Sequence, residues 1–221
     1  PTAVVIAILG LFLANPFGTL MRRLTGSDHV ALPPIPNYSE SVSLPLDGAT
    51  VLDNEDFTVI AQWEDGETTS IPIYIVNHTD REYVFLLDRL FVNDLCLSDF
   101  ATLYVYAEPG ETGAGRLWIE ELGLAAGNMA QIQNITFDLE VYDYQDDTAE
   151  PIYLKDLTIE GNAAPDYRHT LSLPEPPIYD AKDLVLYALG PTGDYLPEDW
   201  TADPSILLCA KNNTDQDMEL L

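Results

Sequence analysis

Two short polar turns share one spelling. Asn77-His78-Thr79-Asp80 and Asn212-Asn213-Thr214-Asp215 each gather amide, hydroxyl and carboxylate groups within four residues, a set that could hold a cation or a small polar ligand. The same residues also close a hairpin. Asn tolerates left-handed backbone angles and bonds the backbone two residues on, which explains both turns without a ligand. A second group, Asp143, Asp146, Asp147 and Glu150, offers the oxygen ligands that calcium prefers. It lacks the alternating acids and central glycine of a calcium-binding loop.

Acid–base and nucleophilic chemistry finds little to work with. His29 and His169 fall in connecting segments and His78 in a turn. The chain has no Gly-x-Ser-x-Gly, His-Glu-x-x-His or Cys-x-x-Cys, and no phosphate-cradling glycine loop. Carboxylates are so common that a pair of them distinguishes nothing, and no cleft-forming segment supports a glycosidase. We assign no catalytic, cofactor-binding or metal-ligating residue and expect a protein that is not an enzyme. Cys96 and Cys209 occupy non-equivalent places in an internal repeat of the chain, so two buried thiols are expected and not a bridge. Asn37, Asn77, Asn134 and Asn212 sit in glycosylation sequons, of which two are turn residues.

The formal net charge is -28. Arg22 and Arg23 precede the first acid, Asp28, so residues 24–221 hold all 37 acids and only 7 of the 9 bases, a net of -30. Phosphate backbones and anionic lipid headgroups would repel such a surface, which removes nucleic acid and peripheral membrane binding from the candidate partners. With 47% hydrophobic residues the chain is nevertheless a folded one.

The turns are held by strands of period two. Ile135, Phe137, Leu139 and Val141 alternate with Thr136, Asp138, Glu140 and Tyr142, giving one apolar and one wet face. Phe57 to Trp63, Ile71 to Ile75, Tyr83 to Leu87 and Leu103 to Ala107 alternate likewise, and a last strand covers Ile152 to Ile159. The expected fold is all-β, an antiparallel two-sheet sandwich over residues 45–160. One helix is expected over Leu117 to Ala125, ended by Gly127, after a turn at Pro109-Gly110.

Ahead of the sandwich, Ala3 to Met21 carries no charge. As a helix those residues would rise about 28 Å, close to the hydrocarbon thickness of a bilayer. Residues 1–23 are therefore expected to be an N-terminal hydrophobic helix that anchors the chain through residues 3–21. A signal-peptide core and a buried soluble helix are the alternatives, since Asn15, Pro16 and Gly18 weaken the last third. Arg22 and Arg23 alone would keep the downstream β region in the cytoplasm; a strongly acidic β domain behind a lone anchor is commonly exported, and an extracellular placement is favoured. Residues 24–44, rich in Pro, Ser and Asp, read as a stalk.

The chain also repeats itself. Tyr38, Ser43, Leu44 and Pro45 match Tyr167, Ser172, Leu173 and Pro174 at an offset of 129; Asp53 and Asp56 match Asp180 and Asp183 at 127; IYIVNHTDREYVFL matches LCAKNNTDQDMELL at 135. Residues 161–221 thus hold a linker and a second sandwich that stops soon after its Asn-x-Thr-Asp turn. Half a sandwich exposes a sheet face and open edges, so the second copy should be partly disordered or borrow a neighbour's strand.

The alternating strands, the Asn-x-Thr-Asp turn, Phe91-Val92-Asn93, the Pro-Gly turn and the Glu-Leu-Gly-Leu segment together resemble immunoglobulin-like repeat domains in membrane-anchored surface proteins of Gram-positive gut bacteria. The resemblance covers residues 45–160 well and 167–221 in part. It implies an immunoglobulin-like fold and a cell-membrane location, and it transfers no functional residue. The expected role is a single-pass, extracellular module for contact with an unknown protein or glycan. The alternative is a structural spacer or subunit of an envelope assembly, and a cation-responsive sensor ranks third. An exposed aromatic patch around Tyr104 and Tyr106 would favour contact; a uniformly charged exterior would favour a spacer.

Overall fold

The computed structural model describes residues 3–9, 44–45, 47–63, 68–146, 148–164, 166–191 and 206–214. In chain order the strands are β1 (Ala3–Leu9), β2 (Ala49–Asp53), β3 (Phe57–Ala61), β4 (Ser70–Asn77), β5 (Tyr83–Val92), β6 (Leu95–Cys96), β7 (Ala101–Thr102), β8 (Tyr104–Ala107), β9 (Thr112–Ile119), β10 (Asn134–Asp143), β11 (Ile152–Glu160), β12 (Tyr179–Asp180), β13 (Leu184–Pro191) and β14 (Ile206–Asn212). Among the described residues there is one short α-helix, α1 (Glu121–Ala126). The fold is all-β, and its strand pairs are antiparallel except β1 with β6.

One sheet runs β11-β10-β5-β6-β1-β14-β13-β12, with β8 also on β5; the other runs β2-β3-β4-β9-β7. The inner residues of both belong to one apolar cluster. Val59, Ile73, Ile75, Phe85, Leu90, Val105, Leu117, Ile135, Phe137 and Leu139 all lose their solvent exposure there. Phe57 is the tie across it: its ring, on β3 of the smaller sheet, meets the edges of Tyr83 at 5.3 Å and Phe85 at 5.1 Å, both on β5 of the larger.

Strand β8 pairs with β5 in the larger sheet, yet it presses on β9 of the smaller one. Two glycines permit this. A Cβ added to Gly113 would collide with the Tyr106 carbonyl, and one added to Gly115 with the Tyr104 carbonyl. Glycine within a strand here marks a close approach of two backbones. We expect Gly115→Ala to cost about 2 kcal/mol of stability, because the intruding methyl group meets main chain that cannot turn aside. Urea unfolding measures it; a loss below about 0.5 kcal/mol, within ordinary surface variation, would show that β8 and β9 separate freely.

The helix starts later than the sequence suggests. Leu117 and Ile119 are buried while Trp118 is 52% exposed, a period of two, and Leu117 pairs with Ile71 and Trp118 with Ser70. These residues finish β9, and α1 begins after Glu120, with Gly127 as its C-cap.

The N-terminal segment also departs from expectation. Ala3–Leu9 is a strand and not the start of a helix, paired along its whole length with β14 and at Val4 and Val5 with β6. Its run of Val4, Val5, Ile6 and Ile8 is β-branched and favours extended backbone. The rest of the expected helix and nearly all of the stalk lie outside the described residues. Among the described residues no helix is long and apolar enough to cross a membrane.

The offsets of the sequence repeat reappear as strand register. Phe57 pairs with Asn77 and Leu184 with Asn212; Leu52 pairs with Val59 and Tyr179 with Leu186. Each second pair is the first moved by 127 on β2 or β3 and by 135 on β4. The turn bonds move with them: His78 N–H donates to Asp56 O at 2.8 Å, and Asn213 N–H to Asp183 O at 3.0 Å.

Candidate functional site

The polar turns are structural. Asn77 is fully buried. Its Oδ1 accepts from Thr79 N–H at 3.0 Å and Thr79 Oγ1 at 2.8 Å, while its Nδ2 donates to the carbonyls of Arg81, Ala107 and Glu108. Asn212 Oδ1 likewise accepts from Thr214 N–H at 2.9 Å and Thr214 Oγ1 at 2.7 Å. Asn77 stitches its hairpin, and its amide is consumed in doing so, while Asn212 closes the same local turn onto Thr214.

The acidic group disperses. Asp143 is buried and paired with Arg81, Asp146 accepts from Thr148, Glu150 is exposed, and Asp147 lies outside the described residues. His78 Nε2 lies 2.8 Å from Thr58 Oγ1, and His169 Nε2 lies 2.7 Å from Gly127 O; His29 lies outside the described residues. Cys96 is half-buried and Cys209 buried, both as free thiols. Burial pushes the Cys96 thiol up and the Cys209 thiol up to about 12.

What the fold does assemble is a platform of tyrosines on the outer face of the larger sheet. On β5, Tyr83 and Phe85 point into the core, so Val84 and Leu86 point out. These two are nonetheless 0% and 8% exposed, because aromatic side chains flank them. Cross-strand pairing lays down two rungs: Tyr106, Val84 and Tyr142 in one, and Tyr104, Leu86, Glu140 and Tyr153 in the other. Tyr144, just past β10, stacks edge-on against Tyr106 at 5.7 Å.

The rings are held by a carboxylate between them. Glu140 accepts from the Tyr142 hydroxyl at 2.7 Å and the Tyr153 hydroxyl at 2.8 Å, one on each oxygen. Lys155 Nζ lies 5.8 Å from the Tyr153 ring centroid, a cation over an aromatic face. The Tyr104 hydroxyl is different: it is buried and, among the described residues, has no hydrogen-bond partner. A buried hydroxyl of this kind costs free energy until a donor or acceptor reaches it. Tyr153 is 44% exposed, so the platform opens to solvent at the β11 side.

Burial and a hydrogen bond to Glu82 push the Tyr106 hydroxyl up to about 12. The unfolded state releases that proton near pH 10 and the folded state only near 12. Between those values the folded chain binds more protons, so stability falls as pH rises. We expect a spectrophotometric titration to show a phenol ionising near pH 12, and Tyr106→Phe to remove it. A Tyr106→Phe chain with the same titration curve would contradict the assignment.

Tyr104 and Tyr106 stand out in sequence by facing away from Leu103 and Val105. Tyr142 falls on the wet side of its own strand. That they share one surface with Tyr144 and Tyr153 depends on β10 pairing beside β5 across about 50 intervening residues, which no local pattern displays. A separate shallow concavity of 390 Å³ beside α1, lined in part by Thr69, Glu121, Leu124 and Met129, brings no convergent set of polar groups. No protein-family model, curated protein or solved structure matches the chain.

Proposed function

We propose that the chain is a non-enzymatic, extracellular contact module: an immunoglobulin-like β-sandwich with the opening strands of a second copy, held at the cell surface by the uncharged segment 3–21. The observation that carries this reading is the tyrosine platform. Tyrosine offers a broad apolar face and a polar tip at little conformational cost, which suits contact with a protein or with sugar rings. Anchoring draws on all of residues 3–21, so in the anchored form Ala3–Leu9 leaves the sheet and the β14 edge is bare.

The test compares the intact chain with the double variant Tyr106→Ser, Tyr153→Ser on a glycan array and on a panel of purified surface proteins. Retained signal from wild type and a loss on the order of tenfold or more in the variant, as for an interface centre, is the expected result. Equal signal from both chains would rule the platform out as the contact surface. Protease digestion of tagged chain on intact cells checks the location; protection until lysis would place the domains inside.

A further inference from the structure

Strand β1 occupies a place that the repeat reserves for another strand. In the first copy β4 is flanked by β3 and β9, both antiparallel. In the second copy β14 stands for β4 and β13 for β3, so the free edge of β14 is the site of a β9 equivalent. Ala3–Leu9 fills that edge, antiparallel and in the same register. Thr112 faces Val76, Gly113 faces Ile75 and Leu117 faces Ile71; Val4 faces Lys211, Val5 faces Ala210 and Leu9 faces Ile206, and the β14 partners are those of β4 moved by 135.

The edge of β14 is therefore a strand-acceptor site, and the strand it takes is short, extended and uncharged. We propose that Ala3–Leu9 of a second copy of this chain fills it, so that the lipid-free protein links by strand exchange. Residues 10–48 join β1 to β2, a contour of up to roughly 130 Å, long enough to reach a neighbouring molecule as well as its own. The ties of β1 to its own first copy are slight: two paired residues on β6 against seven on β14. An unfilled β14 edge would leave its outward backbone groups unpaired, so the edge favours whichever strand arrives. The contact is head-to-tail, because donor and acceptor are different surfaces, and such contacts propagate or close into rings. This inference is independent of the tyrosine platform and would give the spacer alternative its linkage.

Cross-linking between two differently marked chains tests it, both in a Cys96→Ala background. One full chain carries Val4→Cys and the other Lys211→Cys; mixed and oxidised, they can join at these positions only between molecules. A covalent heterodimer that is lost on reduction is expected, exceeding on the order of tenfold the off-register mixture of Val4→Cys with Ile206→Cys. Leu9→Cys with Ile206→Cys serves as a second in-register pair should either first variant fold poorly. If a single chain carrying Val4→Cys and Lys211→Cys links within itself while the mixtures do not link, exchange is overturned and β1 serves only its own chain. If neither links, the acceptor edge itself is wrong.

Discussion

Phe57→Ala is expected to lower the unfolding free energy by about 4 kcal/mol, enough to unfold much of the population near physiological temperature. The residue is 1% exposed, and its loss leaves a ring-sized void between the two sheets. Its two edge-on partners, Tyr83 and Phe85, go with it, and such pairs add about 1 kcal/mol beyond the area they bury. The neighbours cannot close the gap: Val59 and Ile75 lie on strands already paired on both sides. Urea unfolding followed by tyrosine fluorescence measures the change. Phe57→Leu, which keeps most of the volume, should lose about half as much, and equal losses from both variants would show that ring geometry rather than the void sets the cost.

The second large effect is expected from Arg89→Met, at about 3 kcal/mol. Arg89 meets Asp138 through Nε at 2.8 Å and an Nη at 2.5 Å. The Asp138 side chain is 3% exposed and that of Arg89 36%, so the two deletions differ. Removing the arginine strands a buried carboxylate, whereas removing the aspartate leaves a guanidinium that still reaches water. Asp138 has a further duty, accepting from Asp156 N–H at 2.8 Å. Asp156 has a left-handed φ of 58°, and β11 and β5 both shift register at this point of β10, two bulges held by one side chain. Asp138→Ala should therefore lose about 2 kcal/mol, with the double variant less damaged than Arg89→Met alone. Additive losses in that cycle would mean that the two side chains do not act on each other.

The strands that alternate cleanly are legible in the sequence, because burial on one face writes a period of two. Ile135, Phe137, Leu139 and Val141 are all at 0% or 1% exposure. Where alternation encodes something else, it misleads or falls silent. Asp138 lies on the polar side of its strand by pattern and is 2% exposed in fact, since Arg89 from the next strand covers it. Strand β9 carries Gly113, Ala114, Gly115 and Arg116 in its middle, residues suited to the approach of β8 and invisible to a hydrophobic count. The sequence places the helix too early because Leu117, Ile119, Leu122 and Leu124 fit a helical spacing almost as well as a strand followed by one turn. The expectation that the second copy would borrow a neighbour's strand rests on edge chemistry alone; that Ala3–Leu9 of the same chain lies on this edge depends on contacts across some 200 residues. The platform shows the same limit, since each tyrosine is readable as outward-facing and their company is not.

The two repeat offsets, 127 at the start of β13 and 135 on β14, differ by eight residues: one is taken up by the register shift between Ala188 and Gly190, and the other seven fall between β13 and β14. From Leu184 opposite Asn212 to Ala188 opposite Leu208 the register is that of Phe57 opposite Asn77 to Ala61 opposite Ile73. The connection spanning residues 192–205 is thus where this architecture has already accepted extra length, and an epitope or fluorescent reporter spliced there should leave every ladder of the protein as it is.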